Sequence, residues 1–381
     1  MKTVFYVLCS LFLTTTVLIG QTVTQPPSGG NQKSSVTQYI GTLAHITIDY
    51  SSPDVTSPQG EDRTGKIWGQ LVPWGLQNLN FGLSTDANPS PWRAGANENT
   101  TFHFSHDMMV QGKPIKAGTY GFHVIPKETG AWTLIFSNNA TAWGSFYYNP
   151  SEDALRVEAT PTESEYHEWL TYEFTDRQPT NCTVALKWEK LALPIKIEVA
   201  DIHKMYVDNF RKELQSTAGF NWQGWQAAAA YCYQNDVNLE EALTWADNAV
   251  NLPFGGEKNF TTLQTKANIL EKLGKKEEAA ATMKQAIEHP TAGVFQVHQY
   301  GRQLIAEGKK KEALEVFEYN MKNFGDVWPV RVGLARGYSA LGEYDKALEH
   351  CKIALERAPD KLNKDSLVAA IEKLEKKQDM N

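Results

Sequence analysis

A chain of 381 residues, 41% hydrophobic and 21% charged, is long enough for two or three domains with separate cores. Its net charge of −7, with no concentrated basic tract, excludes the footprint of a nucleic-acid binder, and a mean hydropathy of −0.43 excludes a polytopic membrane protein. Four cysteines in that length cannot build a dense disulfide scaffold.

The chain opens with Lys2 ahead of an apolar run from Val4 to Ile19, softened by Thr14, Thr15 and Thr16 and closed by Gly20. That layout predicts a secretory signal peptide over residues 1–20, followed by a polar linker over 21–34. The protein is therefore expected to be exported, periplasmic or secreted, with no membrane span after cleavage. Cys182, Cys232 and Cys351 then remain, an odd and widely spaced set that reads as buried thiols.

From residue 35 to about 200 the grammar is alternation. His45 to Tyr50, Thr101 to Phe104 and Trp169 to Phe174 alternate polar with apolar residues. Tyr120 to Ile125, Trp132 to Phe136, Leu155 to Glu158, Thr183 to Trp188 and Pro194 to Val199 are further β-rich runs separated by turn residues. This spacing predicts an all-β antiparallel sandwich over 35–200. Neither a G-x-G-x-x-G after a strand nor a Walker loop occurs, which disfavours a nucleotide-binding α/β fold.

Within that half, Pro91-Trp92-Arg93-Ala94-Gly95-Ala96-Asn97-Glu98-Asn99-Thr100-Thr101 reads as a loop entering a strand. Gly95 permits a tight turn, Arg93 and Asn97 offer directional hydrogen bonds, and Trp92 offers a face for a sugar or a guanidinium. Trp92, Arg93 and Asn97 are thus the candidate ligand-binding residues of the β domain, with a glycan as a possible ligand. The competing reading has Arg93 tying loops together through backbone carbonyls and Trp92 closing the sandwich.

Catalytic and metal signals are weak. His103 and His106 would point to opposite faces of a strand, so no metal site is expected. No G-x-S-x-G, H-E-x-x-H or C-x-x-C occurs, and no cofactor is expected. The favoured reading is non-catalytic; a glycan-acting envelope hydrolase or carbohydrate-binding protein with its site near Arg93 and Asn97 is the alternative.

After residue 200 the composition turns helical and begins to repeat. Ala279, Ala313 and Ala347 follow similar Gly-centred turns and lie 34 residues apart. Paired helices of that period resemble the tetratricopeptide repeat. Leu334-Ala335, Tyr338, Gly342, Ala347, Ala354 and Pro359 carry the signature in the last copy, and a degenerate first copy holds Tyr233, Ala242 and Ala249. A connecting helix is expected over 201–219, repeats over 220–360 in an all-α superhelix, and a polar-faced capping helix over 361–381.

The resemblance implies a concave groove lined by the first helix of each hairpin. Tyr231, Asn268, Arg302 and Arg336 fall at groove positions, and the last three are 34 residues apart, as a polar ladder would be. Two guanidiniums beside an amide suit a carboxylate, so the expected partner is a protein or peptide. Solvated arginines paired with neighbouring acids are the plainer alternative.

The β half also resembles a family. Lys66-Ile67-Trp68-Gly69, Leu71-Val72-Pro73-Trp74-Gly75, the Trp92 to Asn97 segment, Ala117-Gly118-Thr119-Tyr120 and Trp143-Gly144-Ser145-Phe146 are similar to domain of unknown function 2911. That resemblance implies a domain identity and no activity. Leu76 to Ser90 stands as an insertion, expected to form a surface loop.

Overall fold

The computed structural model describes residues 30–381; the expected signal peptide and residues 21–29 of the linker lie outside the described residues. The chain divides into two compact units between Ile202 and His203.

The first unit holds two antiparallel sheets. One runs β1-β2-β3-β6-β7-β8, from β1 (Gln32–Ile40), β2 (Ala44–Ser52), β3 (Thr100–Phe104), β6 (Gly118–Ile125), β7 (Trp132–Ser137) and β8 (Asp153–Ala159). The other runs β5-β4-β10-β9, from β4 (Met108–Val110), β5 (Lys113–Ile115), β9 (Thr162–Thr175) and β10 (Asn181–Val199). Alternation places Ile46, Ile48 and Tyr50 of β2 inward, as a half-buried strand requires. The sheets meet where Tyr172 of β9 packs its ring against Phe102 and Phe122, at 5.9 and 6.4 Å. This is the antiparallel sandwich.

Three differences from the sequence reading are instructive. β1 starts at Gln32, inside the segment expected as linker, because its full register on β2 from Gln32↔Ser52 to Ile40↔Ala44 satisfies the backbone that polar side chains concealed. Thr183 to Val199 is one strand and not two; register shifts around Glu189, which adopts φ 54°, carry the chain through the break in alternation. The turn residues Gln111 and Gly112 join a small hairpin, β4 to β5.

Residues 53–99 cross between β2 and β3 mostly as irregular chain pinned by single bridges, among them Gln77↔Ser90 and Trp92↔Val124. An indole cluster holds this crossing down. Trp68 lies 5.7 Å from Trp92, 5.1 Å from Trp132 and 5.9 Å from Trp188.

The second unit is helical. Hairpins pair α2 (Trp222–Asn235) with α3 (Leu239–Asn251), α4 (Phe260–Lys272) with α5 (Lys276–Glu288), α6 (Val294–Ala306) with α7 (Lys310–Phe324), and α8 (Trp328–Ala340) with α9 (Tyr344–Arg357). α1 (Ile202–Glu213) precedes them and α10 (Lys361–Glu375) follows. The repeating residues explain themselves. Ala279, Ala313 and Ala347 are buried at hairpin crossings, and Gly301 lies so close to Phe317 that a Cβ would overlap the ring. Gly274, Gly308 and Gly342 share φ between +76° and +80°, the left-handed turn that ends each first helix.

Both ends of the stack are covered. Val207, Phe210 and Leu214 pack on Ala228, Ala229, Cys232 and Trp245. Leu367, Ala370, Leu374 and Met380 pack on Ala335, Cys351, Ala354 and Ala358. Cys182, Cys232 and Cys351 are free and buried, and burial pushes each thiol up to about 11. Among the described residues no helix is long and apolar enough to cross a membrane.

Candidate functional site

The Trp92 to Asn97 loop uses its polar groups on itself. Arg93 donates from Nη1 to the Asn97 carbonyl at 2.5 Å, stacks over the Phe146 ring at 4.9 Å, and fills the space beside Gly144 so fully that a Cβ there would overlap the guanidinium. Burial lowers its pKa. Ala94 and Asn97 both adopt left-handed φ, at 52° and 55°. The carbonyl this turns inward, that of Ala94, accepts from Tyr172 at 2.8 Å and Thr100 at 3.1 Å. Asn97 Oδ1 accepts from Asn31 at 3.3 Å. Trp92 exchanges backbone bonds with Val124 and stacks on Trp188 at 6.4 Å.

In the structure Trp92, Arg93 and Asn97 make contacts of the kind the loop-tying alternative describes. A guanidinium removed from water is stable only where it is hydrogen-bonded, and here the loop itself supplies the acceptor. Behind it lies His123, buried, bonded to Ser145 at 3.0 Å and pushed down to about 3 by burial and by the Arg93 charge. His103 bonds Thr119 and His106 bonds Ser105, and among the described residues no three His, Cys, Asp or Glu side chains gather as metal ligands.

In the helical unit the groove residues separate. Tyr231 is covered by α1: its hydroxyl meets His203 Nδ1 at 2.9 Å, and its ring lies 5.4 and 5.2 Å from those of Tyr206 and Phe210. It is a packing residue of the covered end and not a groove contact. Asn268 lines a small cleft of about 50 Å³ with Glu271, Tyr300 and Gln303. Arg302 and Arg336 meet elsewhere. Asn268 and the two arginines thus line separate clefts.

That second cleft, about 340 Å³, lies between α6, α8 and α10. Its walls include His298, Arg302, Trp328, Val332, Arg336, Leu367 and Lys373, and no carboxylate is among its lining residues. Arg302 is exposed and has neither ion pair nor hydrogen bond among the described residues. Arg336 is half-buried, and burial followed by the Arg302 charge lowers its pKa. The same two arginines, after burial, push His298 down to about 4, so this imidazole is neutral at pH 7.

The segment after α10 bends back to the rim of this cleft. Met380 donates its backbone N–H to Ser339 Oγ at 2.9 Å, and Ser339 donates to Asp379 at 2.7 Å. Asn381 accepts from Arg336 Nη1 at 3.2 Å and returns a bond to the Arg336 carbonyl at 3.1 Å. Sequence reasoning missed Trp328, Lys373 and this returning segment. The 34-residue period does carry Arg336 onto Ala370, the signal that α10 stands where the next first helix would.

Residues 31–197 match the family described as protein of unknown function (DUF2911). Residues 260–288 and 331–365 each match a tetratricopeptide repeat model. No curated protein matches the chain. Among solved structures, the crystal structure of YrrB, a tetratricopeptide repeat protein described as having an unusual peptide-binding site, is similar at 20% identity. That match covers 46% of this chain and 89% of YrrB with a TM-score of 0.30. The C-terminal part of a repeat-containing protein from Cytophaga hutchinsonii matches at 18% identity over 46% of this chain and 67% of its own, TM-score 0.36. MamA matches at 16% identity over 41% and 82%, TM-score 0.31.

Proposed function

We propose that this protein, a DUF2911 domain followed by tetratricopeptide repeats, is an exported, non-catalytic interaction protein that docks a protein or peptide partner in the cleft between α6, α8 and α10. The observation that carries the reading is the charge of that cleft: Arg302, Arg336 and Lys373 line it, and the carboxylate that acts on Arg336, Asp379 at the rim, is engaged by Ser339. Two guanidiniums near each other repel, and an anion between them relieves that repulsion while accepting forked hydrogen bonds. Trp328, Val332 and Leu367 supply apolar surface beside the charge. The partner this chemistry selects is a peptide with an acidic side chain next to an apolar one. Export rests on the Lys2 to Gly20 segment, and repeats of this kind bring the interaction role.

A fluorescein-labelled peptide of alternating glutamate and leucine, titrated into the full chain with anisotropy as readout, tests the cleft. Binding is expected to weaken about tenfold in the Arg302→Ala, Arg336→Ala double variant, and to fall with salt as ion-paired contacts do. Equal affinity of the double variant and the parent chain would overturn the reading.

A further inference from the structure

The β unit carries an open cleft of about 320 Å³ that the Trp92 to Asn97 loop does not fill. It lies where Lys33 of β1, Asp49 to Ser51 of β2, Glu98, Asn99 and Thr101, and the Ala140 to Trp143 loop converge. Trp143 leaves 51% of its surface exposed, although the other indoles of this half mostly pack together. Glu98 accepts from Ser51 Oγ at 3.0 Å and stands 3.8 Å from Lys33, and its own backbone amide and these neighbours hold its carboxyl below the usual range. Asp49 is exposed, with no side-chain bond among the described residues. Asn99, 7% exposed, closes the floor behind them: it donates from Nδ2 to the Asn139 carbonyl at 3.1 Å, and its Oδ1 is sealed from solvent.

We infer that this cleft is a saccharide-binding site, with Trp143 as the platform and Asp49 and Glu98 as the groups that select the ring. Acceptor capacity is left over here: the Asp49 carboxylate is exposed, and among the described residues Glu98 is met only by the side chains of Ser51 and Lys33. A ligand rich in hydroxyl donors satisfies them, because every sugar hydroxyl donates once and accepts twice. An exposed indole beside hydrogen-bonding groups suits a molecule with one face of C–H bonds and a rim of O–H bonds. A simple organic cation meets the two carboxylates but also Lys33, and gains nothing from the small Ala140 and Ala142 walls. The inference is independent of the peptide cleft, and it moves any sugar chemistry away from Arg93 to the residues that follow it.

Calorimetric titration and saturation-transfer NMR on the full chain with cellobiose, xylobiose, maltose, mannobiose and chitobiose test it. At least one disaccharide is expected to bind, with affinity falling tenfold or more in Trp143→Ala and severalfold in Asp49→Asn. Both side chains are exposed, so thermal unfolding of the variants should match the parent, which separates lost binding from lost fold. Silence from all five sugars would overturn the site. So would a bound sugar whose affinity ignores Trp143→Ala.

Discussion

Arg93 and Arg302 are the same side chain in opposite circumstances. Arg93 is half-buried in a loop whose own Asn97 carbonyl accepts one of its N–H groups, and the Phe146 ring covers its face. Arg302 is exposed on α6, faces a second arginine across a cleft, and has no acidic neighbour lining that cleft. One guanidinium stabilises a fold, and the other is left for an outside acceptor. An arginine's role is thus set by whether the chain satisfies it before a ligand can.

The largest effect expected from this contrast is on Arg93. Arg93→Ala leaves the Asn97 carbonyl without its donor, at about 1–3 kcal/mol, and removes a cation–aromatic contact of about 1 kcal/mol. Denaturant unfolding of the full chain should show the β transition lowered by about 3 kcal/mol with the helical one unmoved. A change below about 0.5 kcal/mol would mean Arg93 is as free as Arg302, and the contrast would collapse. Gly301→Ala is the matching lesion in the helical unit. The added methyl overlaps Phe317, so α6 and α7 must part, at a cost of about 1–3 kcal/mol to that unit.

Acid should sharpen the comparison between units. His123 and His298 are pushed down to about 3 and about 4, mainly by burial, while an unfolded histidine titrates near 6.5. Between those values the unfolded chain binds a proton that the folded chain refuses, so stability is full above pH 6.5 and declines as pH falls. Each histidine contributes a slope of at most about 1.4 kcal/mol per pH unit. The β unit should keep losing stability down to about pH 3 on this account, the helical unit only to about pH 4. His123→Asn should flatten the β profile; an unchanged profile would place the acid sensitivity elsewhere.

How much of this was legible beforehand differed between the halves. The helical period was readable because Ala313, Gly308 and Gly342 are demanded by close crossings and left-handed turns, which few other residues tolerate. The β half was readable as alternating strands, but β1 was hidden by surface-facing polar residues whose backbone pairs with β2 all the same. The sequence singles out Arg93, and which of its two roles applies depends on the positions of Phe146 and the Asn97 carbonyl, distances that no spacing rule encodes. Tyr231 sits away from the groove for a related reason. A period assigns a residue to a helix face, whereas the covering of Tyr231 by α1 is a tertiary fact.

The smallest expected effect separates the two arginines within the peptide cleft. Arg302→Ala removes an exposed side chain with no partner among the described residues, so unfolding should shift by less than about 0.5 kcal/mol. Arg336→Ala removes a half-buried side chain bonded to Asn381, so about 1 kcal/mol of the helical unit's stability should go with it. For the glutamate–leucine peptide the order can invert. Arg302 is ready to bind, while Arg336 must first exchange Asn381, and that exchange subtracts from what Arg336 returns in affinity. Asn381→Ala should then tighten the peptide severalfold in the parent and have no effect in an Arg336→Ala background. If Asn381→Ala instead leaves affinity unchanged in both, Arg336 meets the peptide through donors Asn381 never held, and the two arginines of the cleft are equivalent after all.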